Sequence, residues 1–162
     1  IAENGGEVIR PHPKFRVVAT GNSAGGGDGS GLYQGVLRQN LAFMDRFRVL
    51  HVDYPEADLE TQVVSQAVPQ LPGEIIVKMR QVAEEVRRLF LGESGHAGEL
   101  TVTLSTRTLV RWAQLAVTFK GAPQVFDYAL TQALTARAAP EQRAAIHRIA
   151  ADVFGPLWDP QA

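Results

Sequence analysis

Three residues in this chain stand out by type and setting as candidates for chemistry: Asn22, Arg46 and Arg107. Asn22 follows the apolar run Val17-Val18-Ala19, which predicts a strand over Phe15 to Thr20. A run without alternation suits a strand covered on both faces. Ligands of open α/β sheets sit at the carboxyl ends of such strands, where Asn22 presents its amide. Arg107 falls in the first turn of an expected helix, where a cation opposes the helix dipole unless something negative offsets it. A phosphate would do so, and the fixed donor fork of a guanidinium suits it. Arg46 closes an expected helix beside Asp45. For both arginines, residue type alone leaves a plain surface charge as the simpler reading, with an exposed Asp45–Arg46 pair worth about 0–1 kcal/mol.

The elements that would position these residues follow from local signals. Asn4-Gly5-Gly6 is a tight-turn signal, so residues 1–13 read as a hairpin leading into the strand through Pro11-His12-Pro13. His12, between prolines, reads as a structural hydrogen-bonding residue. Residues 21–31 hold six glycines, but no lysine follows in the phosphate-loop pattern and G-x-G-x-x-G fails at every register. They read as a connector. A helix is expected from Leu32 to Asp45 with Leu37, Leu41 and Met44 on one face, then a second strand from Arg48 to Tyr54, stopped by Pro55.

Beyond Pro55 the pattern turns helical. Helices are expected from Glu56 to Ala67 and from Gly73 to Leu91, the latter with Ile75, Met79, Val82, Val86 and Leu89 as its buried stripe. Glu84, Glu85, Arg87 and Arg88 read as its solvated face, with Glu84–Arg88 at helix-supporting spacing. Residues 92–98 read as a loop. Leu100 to Leu104 alternates with threonine and reads as a short strand or extended arm. Ser105 is placed to cap a helix from Thr106 to Phe119, which Gly121 ends. Helices from Pro123 to Arg137 and from Pro140 to Phe154 follow, each opened by proline, the second closed by Gly155. Trp112, Phe126 and Trp158 read as core aromatics. The expected architecture is α/β followed by all-α, divided into residues 1–54 and 55–162.

Composition narrows the function. The formal net charge is −1 with both signs interspersed, so the basic stripe of a nucleic-acid binder is missing. There is no cysteine, which removes disulfides and thiolate metal sites and fits a cytoplasmic setting. No apolar run is long enough for a membrane span. The chain opens at Ile1 in mid-pattern, as expected of a piece of a longer protein.

Several motifs in combination carry a resemblance. They are His12-Pro13-x-Phe15-Arg16, Ala19-Thr20-Gly21-Asn22, the G-x-G-D of residues 25–28, Gly31-Leu32-Tyr33, Met44-Asp45-Arg46-Phe47, and the later STRTLVRWAQLAVTF of residues 105–119. Together they resemble the AAA+ ATPases of the MoxR and magnesium-chelatase branch, and within it the CobS type of cobaltochelatase motor subunit. The resemblance implies the C-terminal part of a P-loop NTPase core with its helical lid. It implies that Asn22 is sensor 1, Arg46 an arginine finger reaching ATP in the neighbouring subunit, and Arg107 the sensor-2 contact to ATP in its own subunit. Relatives usually carry Ser-Pro-Arg where this chain has Ser105-Thr106-Arg107.

The same resemblance implies ATP and Mg²⁺ as cofactors, held mainly by Walker groups outside this sequence, so that the chain alone is expected to be inactive. It further implies a homo-oligomeric ring, expected as a hexamer, that remodels a partner such as a von Willebrand-type chelatase subunit. No metal ligands, nucleic acid or membrane are expected. The alternatives are a MoxR-type chaperone for another metalloenzyme and a non-enzymatic helical interaction module.

Overall fold

The computed structural model describes residues 5–6, 8–21, 39–92 and 99–159. The chain divides into two units, Ile1–His51 and Val52–Ala162.

In the first unit, Gly5 and Gly6 form a turn at φ of +67° and +79°, a conformation glycine adopts without steric cost. The first arm of the expected hairpin, residues 1–4, lies outside the described residues. A second turn at Pro13-Lys14 is closed by the Phe15 amide donating to the His12 carbonyl at 2.8 Å. The Lys14 amide donates to His12 Nδ1 at 3.1 Å, which gives that imidazole a structural role. The strand expected over residues 15–20 is absent, and so is the one over 48–54. Both segments lack regular structure, with Val18 at 89 % and Leu50 at 83 % exposure. A strand exists only through ladder hydrogen bonds to a neighbour, and no described segment pairs with either. The described residues are therefore all-helical, and the α/β part of the expected architecture is not among them.

Helix α1 spans only Leu41–Met44, shorter than the expected 32–45, of which residues 32–38 lie outside the described set. Its start is set by Asn40, whose side-chain oxygen accepts from the Ala42 amide at 2.8 Å. Leu41 does not face a core but is exposed.

The second unit is a helical assembly built of α2 (Ala57–Ala67), α3 (Gly73–Leu91), α4 (Thr106–Thr118), α5 (Val125–Ala133) and α6 (Pro140–Phe154). Single 3₁₀ turns follow at Thr135–Arg137 and Gly155–Leu157. α3 takes the predicted stripe inward, burying Ile75, Met79, Val82 and Val86, with Leu89 partly buried. Residues 99–105 form an extended arm without strand pairing, and its alternation buries Leu100 and Leu104 with Val102 partly covered. Ser105 caps α4 by accepting from the Thr108 amide at 3.2 Å. α5 begins later than expected. Pro123 stays outside it, and Gln124 stands before it at φ +49°. It also ends at Ala133 rather than Arg137, where a 3₁₀ turn takes over. Pro140 opens α6, and Gly155 ends it at φ +58°.

Trp112 and Phe154 are fully buried at the centre, their ring centroids 5.8 Å apart. Phe126 and Trp158 lie 5.0 and 5.6 Å from the Phe154 ring. The Trp112 indole N–H donates to the Phe126 carbonyl at 3.0 Å. Trp112 and Phe154 belong to the core, and Phe126 and Trp158 pack partly buried against it. Among the described residues, no helix is long and apolar enough to cross a membrane.

Candidate functional site

Each candidate residue is placed within its own unit. Asn22 lies outside the described residues. Arg46 follows α1 and is exposed, its guanidinium donating to the Ala42 carbonyl one turn earlier. Arg107 is the second residue of α4 and is exposed. Among the described residues, no carboxylate or carbonyl pairs with its guanidinium, while the Glu60 carboxylate accepts from Thr106 at the same helix start.

Beside Arg107 the second unit opens a cleft of 510 Å³ lined by Val52, Asp53, Tyr54, Pro55, Leu91, Ser105, Thr106 and Arg107. Its polar wall is the first turn of α4. The Thr108 amide there is taken by Ser105, while the Thr106 and Arg107 amides have no partner within the helix. An anion at that wall would meet both the helix dipole and the Arg107 fork. Its other wall, Val52, Tyr54, Pro55 and Leu91, is apolar with an aromatic ring. The lining thus sets an arginine and a helix start on one side against an apolar, largely exposed surface on the other. Asp53 is the single carboxylate of the lining. Among the described residues, no cluster of three or more His, Cys, Asp or Glu could hold a metal ion.

Behind the cleft is a buried ionic cluster. Arg87 and Glu60 have side chains only 8 % and 2 % exposed. Arg87 Nη1 and Nη2 donate to Glu60 Oε2 and Oε1 at 2.9 and 2.7 Å, and Nε donates to the Leu104 carbonyl at 2.7 Å. Glu60 Oε1 also accepts from the Thr106 hydroxyl at 2.6 Å. The Arg87 guanidinium carbon sits 4.0 Å from the centroid of the Tyr54 ring, within cation–π range. Burial by itself pushes the Glu60 carboxyl up. The hydrogen bonds from Arg87 and Thr106, with the charges of Arg87 and Arg80, outweigh it and hold the group below the usual carboxylate range.

This corrects the reading of α3's charged face. Arg87 is not solvated, and the exposed pairs seen among the described residues are Arg80–Glu84 at 2.7 Å and Glu85–Arg88 at 2.6 Å. The signal was in the spacing. Arg87 follows buried Ala83 by four residues, and Glu60 precedes buried Val64 by four, so each continues an inward stripe.

A second polar cluster joins α5 to α6. His147 Nδ1 lies 2.7 Å from Asp127 Oδ1 and Nε2 lies 2.8 Å from Thr135 Oγ1. The order Asp-His-Thr is that of a nucleophilic relay. Thr135 is only 1 % exposed, so no substrate reaches its hydroxyl, and the cluster serves as a tie between helices.

Residues 60–153 match the family described as CbbQ/NirQ/NorQ C-terminal. The chain is 38 % identical over 117 residues to the aerobic cobaltochelatase subunit CobS of Sinorhizobium sp, covering 69 % of this chain and 34 % of that protein. It is 33 % identical over 116 residues to midasin of Dictyostelium discoideum, covering 67 % of this chain and 2 % of midasin. The chain thus spans about a third of CobS, and less of midasin. No solved structure gives a significant match. From Glu60 in the buried pair to Val153 on α6, the matched residues span nearly all of the helical unit, and the chain belongs to the CbbQ/NirQ/NorQ C-terminal family, as a MoxR-like AAA+ relative of CobS.

Proposed function

We propose that this chain contributes the helical lid of a ring-forming AAA+ ATPase that couples ATP hydrolysis to remodelling of a partner, as a chelatase motor of the CobS type. The observation that carries the reading is Arg107, an exposed guanidinium in the first turn of α4, unpaired among the described residues, at the edge of the cleft. In this reading Arg107 and the α4 amides hold the terminal phosphate of ATP, while Val52, Tyr54, Pro55 and Leu91 face its apolar part. Bound ATP with Mg²⁺ supplies the phosphoryl group whose hydrolysis drives the lid against the rest of the ring. Asn22 orients the attacking water in the same subunit. Arg46 reaches the site of the adjacent subunit, which makes a closed ring, expected as a hexamer, the working form. Residues 1–54 then belong to the nucleotide-binding core and residues 55–162 to the lid. The soluble, cytoplasmic setting and the von Willebrand-type partner belong to the same proposal.

The test is ATP turnover by the complete ATPase carrying Arg107→Ala. Phosphate release should fall at least ~10-fold, since transition-state arginines are worth more than that in measured phosphoryl-transfer enzymes. Unchanged turnover with intact assembly would leave only an interaction module. A second reading, a MoxR-type chaperone for another metalloenzyme, is favoured by the match to the CbbQ/NirQ/NorQ family. The two differ in the partner that stimulates turnover, a chelatase subunit or a folded metalloenzyme, and parallel assays with each decide between them.

A further inference from the structure

We propose that the buried Glu60–Arg87 pair is a positioning device for Arg107, acting through the Thr106 hydroxyl and the Leu104 carbonyl. The inference rests on the reading of Arg107 as a phosphate contact.

The placement of the cluster carries it. Four consecutive residues lead into Arg107, and each is held by a side chain or an amide. The Thr103 hydroxyl lies 3.2 Å from the Tyr54 hydroxyl, and the Leu104 carbonyl accepts from Arg87. Ser105 caps α4, and the Thr106 hydroxyl donates to Glu60. Three of these four ties converge on Arg87, on Glu60 or on the Tyr54 ring that the Arg87 guanidinium covers. Glu60 lies on α2 and Arg87 on α3, so the start of α4 is referenced to two other helices at once. Tyr54 and Thr106 belong to the cleft lining as well as to the cluster.

A pair this deeply buried is a poor source of net stability, because desolvation of both charges offsets most of their attraction. What it does supply is direction. The fork fixes the carboxylate plane, and the carboxylate fixes a hydroxyl on the residue next to Arg107. An arginine side chain has many rotamers, so a rigid root matters for where its guanidinium falls.

The experiment uses the complete ATPase with Thr106→Val, which keeps the shape and removes the donor, Thr106→Ser, which restores the donor, Arg107→Ala, and the double variant Thr106→Val/Arg107→Ala. Two readouts are taken: steady-state kcat and KM for ATP, and hydrogen exchange of amides 104–109. Thr106→Val should raise exchange in that segment and lower kcat about 5- to 10-fold. Thr106→Ser should restore both. In the Arg107→Ala background the Val substitution should cost less than twofold more. The proposal is overturned if Thr106→Val leaves kcat unchanged while Arg107→Ala lowers it. It is equally overturned if the Thr106→Val loss persists in full without Arg107, because the hydroxyl then acts on its own. If Arg107→Ala changes neither kcat nor KM, the phosphate role of Arg107 falls and this inference falls with it, an outcome distinct from the other two.

Discussion

Arg87 on α3 forks both oxygens of Glu60 on α2, at 2.7 and 2.9 Å, in a setting that leaves neither side chain more than 8 % exposed. Among the described residues, no buried side-chain nitrogen or oxygen lacks a partner, so the pair is satisfied as well as buried. That condition makes either residue difficult to lose alone.

Arg87→Ala should destabilise the helical unit by about 3–5 kcal/mol, the usual result of leaving a buried charge without its partner. The Leu104 carbonyl loses a donor in the same step. Replacing both residues together, Glu60→Leu with Arg87→Met, should cost far less, since apolar pairs of similar volume substitute well for buried ion pairs. Urea unfolding followed by far-ultraviolet circular dichroism reads both, and equal losses in the two variants would contradict the argument.

The same pair sets a response to acid. The Glu60 carboxyl is held below its ordinary value of 4.5 in the folded chain. A depressed carboxylate contributes stability that is present above the unfolded value and is lost as pH falls through the folded one. The urea midpoint should therefore vary little from neutral pH to about pH 5, then drop on further acidification. Glu60→Gln should begin lower and show a flatter acid limb. The exposed Glu85–Arg88 pair acts in the same direction but is screened by solvent, so Glu85→Gln should alter the curve little.

Much of the helical unit was legible because its signals are local. Ser105, Pro140 and Gly155 start or stop helices through their own backbone chemistry, and the α3 stripe repeats within one helix. The strands at 15–20 and 48–54 were not realised because a strand depends on a partner that local pattern does not supply. Arg87 was misjudged for a related reason. Charge in a Glu-Glu-Val-Arg-Arg run indicates solvent unless a buried counter-ion exists, and that counter-ion is on another helix. The cleft was only partly legible. Arg107 was conspicuous for opposing the helix dipole, whereas the contribution of Tyr54 depends on where the arm and α3 meet.

Phe154 closes the aromatic core, touching Trp112, Phe126 and Trp158 from the last turn of α6. Phe154→Ala should cost about 3–5 kcal/mol because rigid neighbours on three sides leave a cavity that collapses poorly. Gly155→Ala at the next position should also destabilise, by about 1–3 kcal/mol, through backbone strain alone. An added Cβ there meets nothing within 4 Å, so no clash contributes. Thermal unfolding of the two variants separates packing from strain. Phe154→Leu should recover most of the first loss, and no residue with a side chain should fully recover the second.

Read as an arginine finger, Arg46 yields the sharpest functional prediction, because a finger would act on a neighbouring subunit. Its guanidinium now rests on the Ala42 carbonyl, an exposed local contact that can be exchanged for a phosphate oxygen at little cost. Arg46→Ala in the complete ATPase should lower kcat at least ~100-fold, with a much smaller change in KM. Asn22→Ala should also lower kcat, through the subunit that holds the nucleotide. Mixing the two inactive variants then distinguishes action in trans from action in cis. In a mixed ring, an Arg46→Ala subunit keeps its own Asn22 and receives Arg46 from an Asn22→Ala neighbour, so that interface is whole. Turnover should recover to a substantial fraction of wild type when the subunits are mixed before assembly. If every mixture stays as inactive as its components while rings form normally, Arg46 does not reach across an interface, and the finger assignment fails.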